Sequence, residues 1–568
     1  MPWAGPLAYN LGMRELSAKA LVTGLLLAVV FGVANAYLAL RMGMTISASI
    51  PAAVMAVALF RLIRGGIGES NMVQTIASAG ESLAAGVAFT VPAFFILGYN
   101  PHIMLIILLA LTGGVLGVLT LSVVRRHLIE EENLPFPEGT ACAAVLRTGE
   151  KGGALAIALS GLFAFAYRVV GATSIFPQKP GAATGWTFLS VDLSPAVVGA
   201  GYILGPRLSA LVLSGGILGW LVVVPLISFM AGKPVASGEA ADAIWSDYLR
   251  YIGGGAVLVG GLIGLAKALV PVFRGIIGSF SARGGRDIPL VYVIAGGALI
   301  FLTLWFVPPV AMGPVGAGLA LILAFLFAAV SARIVGIIGS SSNPVSGMTV
   351  AAVVISSLIL HFLHVGTVVT ALTLAGVVCI SAAIAGDTSQ DLKTGFLVGA
   401  TPKKQQLGEF LGVAVSALAI GWAIYLFNSA YGFTSGELRA PQANIMALIT
   451  TGVFGGTIPW HLLAIGGAAA LAVEALGVGS LPFAVGLYLP LDLSTGLFLG
   501  GLLSWVFRGK GKVLAASGLI AGDAFSGLLL AGLAGAKIAM PQLPSIGWPA
   551  SLLAVALMIL VLWLLRKK

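Results

Sequence analysis

Three long stretches of the chain carry no Asp, Glu, Lys or Arg: residues 82–124, 288–332 and 334–386. A helical bilayer crossing takes about 20 apolar residues, so each stretch predicts two hydrophobic segments. Applied to the whole chain, the same criterion predicts roughly 14–16 such segments. Strands of an outer-membrane barrel would instead alternate over short segments. The pattern predicts an all-α polytopic membrane protein.

Polar and glycine-rich stretches interrupt the apolar pattern. GGIGESNMVQTIASAG (65–80) is too polar to cross lipid unaided, and LPFPEGTACAAVL (134–146) sets two prolines and a glycine before a small-residue run. Such backbone survives at membrane depth only inside protein or beside a wet cavity, so each reads as a re-entrant segment or as a plain loop. Residues 386–410, GDTSQDLKTGFLVGATPKKQQLGEF, read as a polar loop between two membrane segments. The triplet Glu130-Glu131-Glu132 reads as a solvated loop face. Asn343 precedes Pro344, and Tyr488 stands just before Pro490, so helix breaks are expected at both.

Basic residues order the spans. Arg14 and Lys19 precede the first apolar run (20–40), which shows no small-residue cleavage pattern. The following pairs, Arg61 with Arg64 and Arg125 with Arg126, fall on the same side if the first run exits near Arg41. Basic loops mark the cytoplasmic face, so the amino terminus is expected there.

The chain also shows internal repetition, a common device of transporters. Gly43-Met44-Thr45 recurs as Gly347-Met348-Thr349, Ala79-Gly80-Glu81-Ser82 as Ala385-Gly386-Asp387-Thr388, and Asp192-Leu193-Ser194 as Asp492-Leu493-Ser494. The three matches keep their order, with nearly constant spacing. They predict two halves, 1–285 and 286–568, divided at the basic stretch Arg283–Arg286.

Composition sharpens this picture. Hydrophobic residues make up 59% and charged residues 9%, against about 25% charged in soluble proteins; mean hydropathy is +1.06. The net charge of +10 then reads as basic loops rather than a nucleic-acid surface. The only two cysteines, Cys142 and Cys379, make neither a disulfide framework nor a zinc site. His361 and His364 have no acidic or thiol partner nearby in sequence, so no metal site is expected.

Charges left within apolar surroundings are the candidates for chemistry, because a mid-membrane charge costs about 2.5–3.5 kcal/mol and usually faces a cavity. Glu81 opens the first uncharged stretch, and Asp387 closes the third at the matching repeat position. Asp523 lies among small residues, and Glu409 beside Gly408 at the start of a span. These four are the proton-coupling candidates, although a carboxylate at a helix N-terminus is also explained by the helix dipole. Gln74, Glu138, Asn343, Lys393, Gln406 and Tyr488 are the substrate-binding candidates. Lys393 offers a cation to a substrate carboxylate, and glutamines offer hydrogen bonds to peptide amides.

Five of these stretches, 69–93, 134–146, 391–406, 486–491 and 517–527, resemble the oligopeptide transporter superfamily. The likeness is greatest to its prokaryotic branch and to the plant yellow stripe-like metal-chelate transporters. The resemblance implies a duplicated bundle of about 16 transmembrane or re-entrant helices. It also implies proton-coupled symport of short peptides or metal–chelate complexes, and it carries roles to Glu81, Glu138, Lys393, Gln406, Tyr488 and Asp523. The sequence departs from the peptide-transporting branch at 343–347, NPVSG, where that branch has an asparagine-proline-glycine motif.

The expected function is therefore secondary active transport, with no cofactor. The expected partners are a peptide or other small-molecule substrate, protons, membrane lipid and a second copy of the chain, and no nucleic acid. The expected location is the inner membrane of a bacterial or archaeal cell. The alternatives are a passive channel and an intramembrane enzyme. The chain has no HExxH, G-x-S-x-G or Walker A motif for the latter.

Overall fold

The computed structural model describes all residues except 1–13, 44, 46, 133, 149–152, 233, 280–286, 341, 342, 344, 434–437, 456–458, 508–511, 536, 537, 539, 542 and 566–568. The expected boundary Arg283–Arg286, Met44 and Pro344 lie outside the described residues. Helices dominate. The first group is α1 (Ala18–Met42), α2 (Ser49–Leu62), α3 (Ile67–Thr90), α4 (Pro92–Ile96), α5 (Ile103–Arg126) and α6 (Pro137–Thr148). A second group follows: α7 (Gly153–Gly171), α8 (Pro195–Ile217), α9 (Val224–Ala231), α10 (Gly238–Ile244) and α11 (Arg250–Ser279). The third comprises α12 (Leu290–Phe306), α13 (Gly313–Ile338), α14 (Val345–Phe362), α15 (Val368–Val398), α16 (Pro402–Tyr431) and α17 (Pro441–Gly455). The last is α18 (Trp460–Ala475), α19 (Ser480–Tyr488), α20 (Leu491–Val506), α21 (Lys512–Gly535) and α22 (Trp548–Leu565). One small antiparallel hairpin pairs Gly181–Ala183 with Phe188–Ser190.

Among the described residues, eight helices are long and apolar enough to cross a membrane, and six shorter apolar helices accompany them. The chain is an all-α polytopic membrane protein. It packs as two compact units, each made of two separate stretches of sequence: 1–154 with 265–456, and 155–264 with 457–568. In the first unit, α3 and α15 run against each other and against α1, α5, α13 and α16. In the second, α8 is packed by α19, α20 and α21. Polarity is inverted relative to a soluble protein. Asn71, Gln74, Gln390 and Gln405 are fully buried, whereas Leu26, Leu162, Phe229 and Leu299 are exposed, as expected where lipid is the solvent.

Local sequence sets the helix ends. Ser17 caps α1 by accepting the Ala20 N–H at 3.1 Å, and Gly43 ends it in the left-handed conformation at φ 66°. Glu69 reaches back to the Gly66 N–H at 2.9 Å and opens α3. Gly399, at φ 85°, stops α15, and Pro402 starts α16. One glycine fixes how closely α1 approaches α3: a Cβ on Gly80 would stand 2.2 Å from the Ala28 carbonyl oxygen.

Several sequence expectations change here. Residues 67–80 are not a loop; they form the first half of α3, buried along nearly its whole length. Residues 386–410 are the continuous end of α15, a tight turn and the start of α16. Both stretches are helical because protein, not lipid, surrounds their polar side chains. The expected breaks at Asn343 and Tyr488 are present, between α13 and α14 and between α19 and α20. Arg41, in the last turn of α1, is buried against Tyr37. The acidic triplet is solvent-exposed at Glu130 and Glu131, as expected, but not a loop: these two close a π-helical turn, and Glu132 pairs with Arg333 at 2.6 Å.

Candidate functional site

The heart of the first unit is polar. Glu81 lies midway along α3, Asp387 and Asp391 one turn apart on α15, and Glu409 in the second turn of α16. All four carboxylates are at least nine-tenths buried. Residues four apart share a helix face, which sets Asp387 and Asp391 in one line toward α3. The α15–α16 turn then returns Glu409 to that line.

Their partners are neutral. Glu81 Oε1 accepts Asn35 Nδ2 at 3.0 Å, and Oε2 accepts the Ala48 N–H, also at 3.0 Å. Ala48 immediately precedes α2, so Glu81 binds the break between α1 and α2. Asp387 Oδ2 accepts the Ser82 hydroxyl at 2.5 Å. Asp391 Oδ1 accepts Gln74 Nε2 and, at 3.4 Å, the Ser49 hydroxyl. Gln405 Nε2 donates to the Asp391 carbonyl and to Thr75 Oγ1, each at 3.0 Å. Glu409 faces Asp391 and Thr388. Among the described residues no Lys, Arg or His forms an ion pair with any of the four. The charges nearest Glu81 are themselves carboxylates: Asp387, Glu138 and Asp391.

Other candidates divide by position. Asn343 stands at the break before α14 and donates to Ser331 at 2.9 Å. A Cβ on Gly386 would lie 2.9 Å from its amide nitrogen, so Asn343 borders the site. Glu138, in the first turn of α6, lies within electrostatic range of Glu81 and Asp387. The neighbouring Gly139 N–H is held by Gln390 at 2.7 Å, which docks α6 on α15. Lys393 points elsewhere, between the rings of Phe136 and Phe396 at 5.7 and 5.5 Å. Gln406 is engaged at both ends, donating to Asp287 at 2.9 Å and accepting the Ile288 N–H at 3.0 Å.

Tyr488 and Asp523 belong to the second unit. Tyr488 packs edge-on to Trp245 at 6.0 Å. Asp523 is fully buried opposite Arg168, with Nε–Oδ1 3.5 Å, and accepts the Ala196 N–H at 2.9 Å. It therefore differs from the carboxylates of the first unit in having a cation. Asn35 and Asp391 join the site without having been given a role from sequence. The signal that could have found Asp391 is its i,i+4 spacing from Asp387.

Many polar atoms around α3, α15 and α16 have no hydrogen-bond partner: Asn71 Nδ2 and Oδ1, Gln74 Oε1, Asp387 Oδ1, Thr388 Oγ1, Asp391 Oδ2, both Glu409 oxygens and Asn343 Oδ1. Buried polar atoms are ordinarily paired, and their concentration marks a place where water, protons or a ligand complete the bonding. Among the described residues, no group of His, Cys, Asp and Glu has the arrangement of a metal centre.

Comparison with known proteins follows the same lines. The family profile described as "OPT oligopeptide transporter protein" matches residues 15–534. A Haemophilus influenzae protein named "Putative oligopeptide transporter" is 32% identical, over 88% of this chain and 93% of its own. A rice protein, "Probable metal-nicotianamine transporter YSL12", is 25% identical over 78% of this chain and 72% of its own. The Arabidopsis thaliana "Metal-nicotianamine transporter YSL3" is 24% identical over 90% of both chains.

Proposed function

The chain belongs to the OPT oligopeptide transporter family, and from that premise we propose that it couples proton entry to uptake of a short peptide or a metal–chelate complex. It is an integral membrane transporter of small molecules, not an enzyme. The coupling centre is the buried set Glu81, Asp387, Asp391 and Glu409. The observation that carries this reading is that four carboxylates stand buried together with no cation paired to any of them among the described residues. Carboxylates so placed cannot all be ionised at once, so they load protons and release them when a cationic group or water replaces that charge.

Two helix breaks meet this centre, at Ala48 through Glu81 and at Asn343 through Gly386. Discontinuous helices of this kind carry substrate and ion sites in secondary transporters. The site offers acceptors and no free cation, which suits the ammonium group of a peptide or the positive part of a chelate. Each compact unit draws on both halves of the chain, and among the described residues the first unit holds α1–α6 from one half and α12–α17 from the other. That division supports two repeated halves, 1–285 and 286–568, with alternating access from their movement. Lys19 Nζ donates to the Ile63 carbonyl at 3.3 Å, gathering the start of α1 and the end of α2 at one basic face; we assign that face to the cytoplasm of a bacterial or archaeal cell.

Reconstituted proteoliposomes test the reading. With an imposed inward proton gradient, a panel of di- to tetrapeptides and of iron and nickel chelates should include one compound that accumulates and alkalinises the medium. Flux of the same compound that ignores the gradient and runs at channel rates refutes symport.

A further inference from the structure

The four carboxylates are not equivalent, because the donors that reach them differ. Glu81 receives one donor on each oxygen, and one of these is a backbone amide leading into α2. Both of its oxygens are thereby committed to holding α1 and the start of α2 against α3. Asp391 receives Gln74 and Ser49 on Oδ1 only. Its Oδ2 has no donor, nor has either oxygen of Glu409. The two side chains interact across the α15–α16 interface, where Gln405, one turn before Glu409, also donates to the Asp391 carbonyl at 3.0 Å. Both residues are fully buried.

Two carboxylates in direct contact repel unless a proton lies between them, in which case one donates to the other. The Thr388 hydroxyl, 1% exposed, stands at the same place. Gln74 Oε1, from a fully buried side chain whose amide already binds Asp391, is unpartnered. We propose that Asp391 and Glu409 hold the coupling proton as a shared hydrogen bond, and that Glu81 is a positioning residue that ties the α1–α2 break to α3. This assignment rests on the symport reading above and narrows it from four groups to two.

The charged and titratable groups facing the pair are few. Asp387 precedes it by one turn on α15, Glu81 faces from α3, and Glu138 and Cys142 face from α6. Arg125 of α5 is engaged by Asp287 at 2.6 Å, and Arg333 of α13 by Glu132. Lys393 of α15 lies between two aromatic rings.

Infrared difference spectroscopy of the purified full chain, between acidic and alkaline buffer and in light and heavy water, reads the proton directly and needs no transport. Wild-type protein should show one deuterium-sensitive band of a protonated carboxyl. Asp391→Asn and Glu409→Gln should each remove it, and Glu81→Gln should keep it; two dyad variants guard against one failing to fold. A band that survives both dyad substitutions, a band lost in Glu81→Gln, or a wild-type difference that follows sodium instead of protons overturns the assignment. If the infrared pattern holds but no compound shows proton-driven uptake, the dyad stands and the symport reading falls.

Discussion

Asp523 was a proton-coupling candidate on sequence, and its surroundings predict a structural role instead. It sits on α21, fully buried, facing Arg168 of α7, which is 4% exposed. Its other oxygen accepts the Ala196 N–H in the first turn of α8 at 2.9 Å, so one carboxylate joins three helices. Arg168 is further held by Gln178 Oε1 at 2.5 Å. Replacing Asp523 by alanine strips the guanidinium of its carboxylate and the start of α8 of an acceptor. Removing one member of a buried pair costs about 3–5 kcal/mol, chiefly because the remaining charge stays buried. Replacing both by apolar residues of similar volume, Arg168→Met with Asp523→Leu, removes that charge and is commonly neutral or stabilising by about 1–4 kcal/mol. The expected pattern in thermal unfolding of detergent-purified protein is a large loss for Asp523→Ala and recovery in the double variant. Proton-driven uptake should recover with the fold. The reasoning is refuted if Asp523→Ala unfolds within about 0.5 kcal/mol of wild type, the scale of an ordinary surface change. It is equally refuted if the double variant folds like wild type yet transports without regard to the proton gradient.

Two further changes probe the same electrostatic logic. Asn35→Ala removes the donor on Glu81 Oε1 and should lower stability by about 1–3 kcal/mol, the cost of leaving a buried acceptor unsatisfied; unchanged thermal unfolding would remove Glu81 from its bracing role. In the second unit Lys179 lies 3.6 Å from Asp192 and 3.1 Å from Asp492, whose backbones also meet through an N–H···O bond of 2.9 Å. Lys179→Met should lower the unfolding temperature by leaving two like charges adjacent, and Asp492→Asn in the same chain should restore it; if the second change lowers it further, repulsion is not the cause.

The spans were legible in the chain because apolar runs of crossing length have one economical solution in lipid. The site was legible only in part, because sequence polarity does not say whether water or protein will surround a segment. Residues 65–80 and 386–410 look too polar to cross lipid, yet 67–80, 386–398 and 402–410 are helical because α3 and α15 bury their polar faces against each other and against α16. Once 368–398 is taken as one helix, most of the arrangement follows from its period. Asp387 and Asp391, four apart, must share a face, while Lys393, two beyond Asp391, must point away from it; it does, toward Phe136 and Phe396. The same rule separates neighbours on α16. Gln405 reaches Asp391, and Gln406, one position on, reaches Asp287 instead. Gly399 and Pro402 were visible signals that one helix ends and the next begins between Asp391 and Glu409. What no local pattern could supply was the partner of each charge: Asp523 and Glu409 both sit among small or apolar residues in sequence, and only folding gives one an arginine and the other a second carboxylate. That difference in partner, rather than burial itself, separates a carboxylate that braces helices from one that can carry a proton.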